Sequence, residues 1–136
     1  MKDLKKLLER EMKMNSVAIS GRLVKDIELK YTQSQKEVCS FTVAIDKRMT
    51  KEQKENAKQN NQETCDFIDC QAWNQSAKFL NQYAHKGDVL GIEGRIEKNS
   101  YFNNNGEKRY VVQVVVDKVE ILHKQEQKAV DEYAPY

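Results

Sequence analysis

The chain is poor in the residues that would settle its chemistry at once. It has two histidines in 136 residues, His85 and His123, too far apart to suggest a zinc site, so no metal and no cofactor is expected. Its three cysteines, Cys39, Cys65 and Cys70, are odd in number and form no CxxC. A disulfide framework is therefore not expected, and a reducing cytoplasm fits. One proline and five glycines are present, with no glycine-rich phosphate loop, no HExxH and no Gly-x-Ser-x-Gly, so an enzyme is not expected. No apolar run approaches about 18 residues, which excludes a transmembrane helix. No charged-then-apolar leader opens the chain. An excess of one charge is missing too: 23 Lys and Arg face 21 Asp and Glu, a net charge of +2. That excludes a strongly basic, histone-like binder while leaving local patches open. The length suits one domain with a single core. At 39% hydrophobic and 32% charged, part of it is expected to be solvated loop or tail.

What the chain does have is β-patterning and eleven aromatics. Residues 1–13, MKDLKKLLEREMK, carry five basic and three acidic residues, and Leu4, Leu7, Leu8 and Met12 fall at helical spacing. A short amphipathic helix is one reading. A translated leader is the other, because the codons of Glu9-Arg10-Glu11 can spell a purine-rich ribosome-binding site upstream of Met14. The domain proper is then expected over 14–123, with 124–136 a short acidic-aromatic tail.

From Asn15 the apolar residues alternate. Val17, Ile19 and Leu23 are followed by a break at Lys25-Asp26, then by Ile27, Leu29 and Tyr31. Cys39, Phe41, Val43 and Ile45 predict a second strand. Residues 47–63 carry five basic and three acidic residues with almost no apolar content, and read as a long polar loop of the kind that is usually functional. Thr64–Trp73 predicts a third strand. The stretch QSAKFLNQYA predicts a helix burying Ala77, Leu80 and Ala84, with Phe79 and Tyr83 beside them and Gly87 as C-cap. Val89–Ser100 predicts a fourth strand with Leu90, Ile92 and Ile96 inward. Asn105-Gly106 signals a hairpin, and Val111–Leu122 a last strand whose dense valines imply a bulge or burial on both faces. The order is strand, strand, strand, helix, strand, strand. It predicts an all-β chain with one helix: an OB-fold, a five-stranded antiparallel Greek-key barrel with a helix between strands three and four.

Four positions of TCDFIDCQAW decide the function argument. Period two places Phe67 and Trp73 on the face that also carries Asp69 and Gln71, opposite Ile68, Cys70 and Ala72. A face holding a carboxylate and an amide is not the core, so a Phe and the only Trp stand on a polar surface. The same test puts Arg95 and Tyr101 opposite Ile92 and Ile96, with Glu93 and Glu97 beside Arg95. Exposed rings on a polar sheet suit unpaired nucleic acid, because every base has a π-face and cations follow the phosphates. Candidate stacking residues are Phe67, Trp73 and Tyr101, with Met49 a flexible fourth. Candidate phosphate contacts are Arg22, Lys30, Lys47, Arg48, Lys86, Arg95, Lys98 and Arg109. Each of these has a bland alternative as a satellite-core ring or a solvated charge. An interaction module whose polar face binds protein is the competing function.

These segments together resemble the single-stranded DNA-binding protein family of bacteria and their phages. The resemblance runs from Met14 to about His123 and is carried by MNSVAISGRLVKDIELKYT, CSFTVAIDKR, CDFIDCQAWNQSAKFLNQYAHKGDVLGIEGRIEKNSYFNNNGEKRY and the valine-rich last strand. It implies a homotetramer of OB-folds that wraps single-stranded DNA during replication, recombination and repair, in the cytoplasm with the nucleoid. It implies stacking at Phe67, Trp73 and Tyr101 and a basic contact at Lys86, in the KG turn. The sequence departs from the family where Met49 replaces a loop aromatic and where Gln75 replaces a basic residue found in some relatives. The family's partner-recruiting acidic tip is thin here, reduced to Asp131 and Glu132 before Pro135-Tyr136. A compact chain without a long linker resembles the phage or mobile-element versions.

Overall fold

The structure is a computed structural model that describes residues 3–6 and 13–125. Residues 3–6 are helical with Leu4 exposed; Leu7, Leu8, Met12 and the tail candidates Asp131, Glu132, Pro135 and Tyr136 lie outside the described residues. Among the described residues the chain then forms β1 (Val17–Leu23), β2 (Lys30–Tyr31), β3 (Glu37–Asp46), α1 (Lys51–Gln59), β4 (Cys65–Trp73), α2 (Asn74–Tyr83), β5 (Val89–Phe102) and β6 (Lys108–His123). The chain is mostly β-sheet with few helices, consistent with an OB-fold. The expected five-stranded, one-helix layout needs correcting in three places.

First, there are six strands, in the order β1-β5-β6-β4-β3-β2. The Lys25-Asp26 break separates β1 from the two-residue β2, which pairs with the β3 edge at Lys30↔Val38 and Tyr31↔Glu37. Second, the sheet is not wholly antiparallel, since β4 meets β6 in parallel at Cys70↔Val114 and Gln71↔Val115. Third, the polar loop holds α1. Thr50 caps it with a capping box: its side chain accepts from the Gln53 N–H while the Gln53 side chain accepts from the Thr50 N–H. An apolar stripe was the wrong signal for a helix that buries only Ala57; the T-x-x-Q cap was the right one.

Pairings elsewhere follow the pattern. Six β1 residues pair with β5, and at Arg22 and Leu23 the strand also pairs with β3. Gly21 permits this crossing, because a Cβ there would stand 3.0 Å from the Ala44 carbonyl and the Val43 side chain. The dense valines carry a bulge: Glu93 pairs with Lys118 but Gly94 with Val116, leaving Asp117 over. Val114, Val115 and Val116 are all buried in consequence, with Val115 outside the main core cluster.

The core comprises Leu23, Cys39, Phe41, Val43, Cys70, Ala72, Leu90, Ile92, Val114 and Val116, closed by Ala77, Leu80 and Ala84 of the α2 region as the periodicity predicts. Burial pushes the Cys39 thiol up to about 11 and Cys70 up to about 12, so neither is a nucleophile. Ile96 departs from expectation. It is half exposed, because β5 has by then passed beyond the core. The α2 C-cap is Ala84 in extended backbone, and Gly87, at φ +95°, turns the chain three residues later.

That turn contains Asp88, a buried charged residue that ties down the end of the described chain. It accepts from the Gln125 N–H at 2.8 Å and the His85 N–H at 2.9 Å, and faces the Lys124 ammonium at 3.2 Å. Burial opposes its charge, but these donors outweigh burial and hold the carboxyl below its usual range. A lowered folded value means stability that is present above the ordinary carboxylate range and lost as pH falls through the folded value. Asp88→Asn is therefore expected to cost about 2 kcal/mol at neutral pH. Urea unfolding at a series of pH values should show the gap from wild type closing in acid.

Candidate nucleic-acid interface

The outer face of β3 and β4 is built by alternation. Cys39, Phe41 and Val43 point inward with Cys70 and Ala72, so their neighbours point out. The register sets Val38 opposite Trp73, Ser40 opposite Gln71, Thr42 opposite Asp69 and Ala44 opposite Phe67. Phe67 is 58% exposed and Trp73 half-buried. Six residues of strand separate the two rings by roughly 20 Å.

The segment after β1 folds over this face and makes a trough. A cavity of about 410 Å³ is lined by Asp26, Glu28, Ser40, Thr42, Phe67 and Asp69. An adjoining one of about 210 Å³ is lined by Glu28, Lys30, Ser40, Gln71 and Trp73. They share Glu28 and Ser40, so one path runs from Phe67 to Trp73. Several of its polar groups are already paired: the Trp73 indole N–H donates to Gln71 Oε1 at 3.0 Å, the Thr42 hydroxyl to Asp69 at 2.9 Å, and the Lys86 N–H to Asp26 at 2.7 Å. At the far end Asn74, with φ +52°, turns the chain from β4 into α2 directly after Trp73.

Tyr101 stands on the same sheet face further out. It alternates with Asn99, whose side chain donates to Gln113 at 3.3 Å, and Gln113 lines the Phe67 end of the trough. Met49 is half-buried ahead of α1 and lines neither cavity.

The predicted cations are less free than their exposure suggests. Lys30 is the one that lines the trough with a ring. Lys47 holds Asp66 at 2.6 Å, and that hydrogen bond and charge raise its pKa. Arg95 is bridged to Glu97 at 3.0 Å and Asp117 at 2.9 Å, and Arg109 to Glu107 at 2.7 Å. Arg22 donates to the Gly87 carbonyl at 2.6 Å and to Gln125 at 3.2 Å, bracing the end of the described chain. Arg48 and Lys86 are exposed. Lys98 stands over the Tyr110 ring at 4.3 Å, on the face opposite Tyr101.

Several groups escaped the sequence reading. Tyr31, Tyr83, Phe102 and Tyr110 are also exposed rings, so more than three aromatics face outward. Ending the fourth strand at Ser100 left Phe102 out, and continuing the alternation two residues would have set it inward with Ile92 and Ile96, so its exposure was not legible. In α1, Lys51, Lys54 and Lys58 recur at i, i+3 and i+7, a basic stripe that only the helix reveals. Among the described residues no group of three or more His, Cys, Asp or Glu could hold a metal, and no helix is long and apolar enough to cross a membrane.

A polar sheet face that sets two rings in a preformed trough, over the buried Cys39 and Cys70, suits a binding protein. The comparisons with known proteins identify which kind. The profile of the Single-strand binding protein family matches residues 14–122. "Single-stranded DNA-binding protein 1" of Streptococcus pyogenes serotype M18 is 38% identical over 116 residues, which are 85% of this chain and 84% of that one. "Single-stranded DNA-binding protein 2" of the same strain is 38% identical over 109 residues, 80% of this chain but 63% of its own length. "Single-stranded DNA-binding protein 4" of Streptococcus agalactiae serotype V is 36% identical over 113 residues, 83% of this chain and 77% of that one. The chain belongs to the Single-strand binding protein family, whose members are non-enzymatic.

Proposed function

We propose that this chain binds single-stranded DNA without strong sequence preference, protecting it during replication, recombination and repair. The observation that carries the reading is the trough joining Phe67 to Trp73 on one polar face. Bases stack on these two rings and on Tyr101, and Lys30 meets phosphate beside Trp73. Met49 offers a fourth, flexible stacking surface, Arg48 and Lys86 add charge around the rings, and Lys47, Arg22, Arg95, Lys98 and Arg109 contribute where DNA displaces their present partners.

Asp26, Glu28 and Asp69 in the same trough favour a second reading, a site for a basic protein segment. Hydrogen bonds already engage one oxygen each of Asp69 and Asp26, and Lys25 and Lys30 line the same trough, which weighs against it. Poly(dT) titration at low salt decides. Trp73 fluorescence is expected to be strongly quenched, with affinity falling as salt rises because bound phosphates release counterions. Absence of both quench and binding would reject the reading.

The sheet is an OB barrel, with β2 as an added edge and the two-pair β1–β3 contact as its closure. Residues 14–123 form the binding domain, 1–13 an extension or leader, and 124–136 a tail that recruits replication and repair enzymes through Asp131, Glu132, Pro135 and Tyr136. The domain assembles as a homotetramer in the cytoplasm, associated with the nucleoid. Ile19, Ile45, Ile68, Ile96 and Val112 line a cavity of about 340 Å³ and support association, since the exposed Ile96 and Val112 would gain cover from another copy. Light scattering at micromolar concentration is expected to report a tetramer; a monomer would contradict it.

A further inference from the structure

Gln71 and Trp73 alternate onto one face of β4, so the side chain at 71 lies beside the ring at 73. The two are joined: the indole N–H donates to Gln71 Oε1 at 3.0 Å. An indole nitrogen can only donate, so the contact also orients the amide. Both residues line the cavity of about 210 Å³, with Glu28, Lys30 and Ser40. The tether therefore lies inside the trough, next to the ring on which a base would rest.

The backbone holds the two residues unequally. At Gln71, β4 has a partner on each side, Ser40 of β3 and Val115 of β6. At Trp73 it keeps only Val38 of β3, and the next residue, Asn74, turns the chain into α2 with a φ of +52°. The ring thus stands where the sheet gives way, and it is half-buried. Dense packing fixes a core ring, but a half-buried one has open space on one side and needs another constraint to keep one plane. Gln71 supplies it from the part of β4 that is anchored on both sides. A platform that already has its plane loses less side-chain freedom when a base lands on it. Phe67, at the other end of the trough, has no polar side-chain atom to tether, so the two rings differ in this respect.

We infer that Gln71 is a positioning residue: its amide oxygen holds the Trp73 indole in the plane on which a base stacks, so this end of the platform is set before DNA arrives. Gln71 acts through the ring and not on the DNA. The inference rests on the single-stranded DNA reading and adds to it the residue that presets one of its two rings.

Gln71→Leu in the full chain tests it, because leucine removes the acceptor and adds no charge. Trp73 is the only tryptophan, so a single indole N–H resonance in a nitrogen–proton correlation spectrum reports on the tether. In the DNA-free wild type that proton is expected to exchange slowly with water. In Gln71→Leu its resonance should shift and its exchange quicken, while the backbone resonances verify the fold. Affinity for end-labelled dT, read by anisotropy, is expected to fall about threefold, within the roughly two- to tenfold that ordering one side chain costs on binding. Trp73→Phe supplies the second background, since phenylalanine keeps a π-face and has no N–H. There, adding Gln71→Leu is expected to cost nothing further. A loss as large in that background would overturn the positioning role in favour of direct contact between the amide and DNA. Wild-type affinity in Gln71→Leu, with the indole resonance shifted, would show a broken tether without consequence and overturn the inference. Fast indole exchange in the free wild type would overturn it without any variant. Failure of the wild type to bind dT would instead overturn the proposed function.

Discussion

Phe67→Ala/Trp73→Ala is expected to weaken binding of single-stranded dT by about a thousandfold while leaving the domain folded. A base stacked on an aromatic side chain is worth about 1–3 kcal/mol, a magnitude that comes from proteins of this kind rather than from this chain. At about 1.4 kcal/mol per factor of ten, each ring accounts for roughly tenfold to a hundredfold. The rings stand roughly 20 Å apart along β4, so the two losses should add in free energy. Stability should change little on the Phe67 side, because that ring is 58% exposed. Trp73 is half-buried and donates to Gln71, so part of its loss could be packing. Trp73→Phe separates the two effects: it keeps a π-face and gives up the hydrogen bond, and is expected to recover most of the affinity lost in Trp73→Ala. Fluorescence anisotropy of end-labelled dT provides the readout, since the indole is gone. If the double variant binds within a few-fold of wild type and is folded by urea titration, the rings are not the stacking platform.

The same face shows how far residues alone could be read. Period two is a backbone property, so the alternation of Phe67, Asp69, Gln71 and Trp73 against Ile68, Cys70 and Ala72 survives folding intact. The α2 stripe of Ala77, Leu80 and Ala84 was equally legible, because burial against one core imposes one period. What was illegible depended on partners distant in sequence. Whether Arg95 is a free cation is decided by Asp117, a residue displaced by a bulge 22 positions later. Whether Arg22 is a free cation is decided by the Gly87 carbonyl, 65 positions away, and by Gln125, 103 positions away. Ile96 alternates as a core residue, yet it stands where the strand has left the core. The segment from Lys25 to Leu29 kept its alternation and lost its strand, because it serves as a wall over the trough instead of joining the sheet beside β1. Near-neutral charge overall therefore does not argue against a nucleic acid. Much of the predicted positive charge is paired with carboxylates at the surface, so the proposed binding leans on rings and a few cations without acidic partners.

Gly94→Ala is expected to destabilise the domain by about 3 kcal/mol, the upper part of the range for overpacking. A Cβ at this position would lie 2.0 Å from the Val115 carbonyl oxygen and 3.2 Å from Val116 Cα. Both obstacles are backbone, so no rotamer change relieves them; β6 itself must move. The movement falls on the bulge that lets Val114, Val115 and Val116 all be buried and that projects Asp117 to Arg95. Such a loss is a large share of the roughly 5–15 kcal/mol that holds a domain folded. It corresponds to a fall in melting temperature of about 10 °C at this size. Gly106→Ala is the matched control. Its φ is +76° but nothing lies within 4 Å, so it carries the left-handed backbone cost of about 1–2 kcal/mol with no clash. The two also differ in function. Gly106 sits at the tip of the β5–β6 hairpin, whereas Gly94 sits at its root, so a shift there re-aims Tyr101 relative to Phe67 and should weaken DNA binding even in the fraction that stays folded. Calorimetry on both variants, with anisotropy below the melting temperature, separates the effects. Equal melting temperatures for the two would show that β6 passes over Gly94 with room to spare, and the bulge would then not be what holds the hairpin at its angle to the trough.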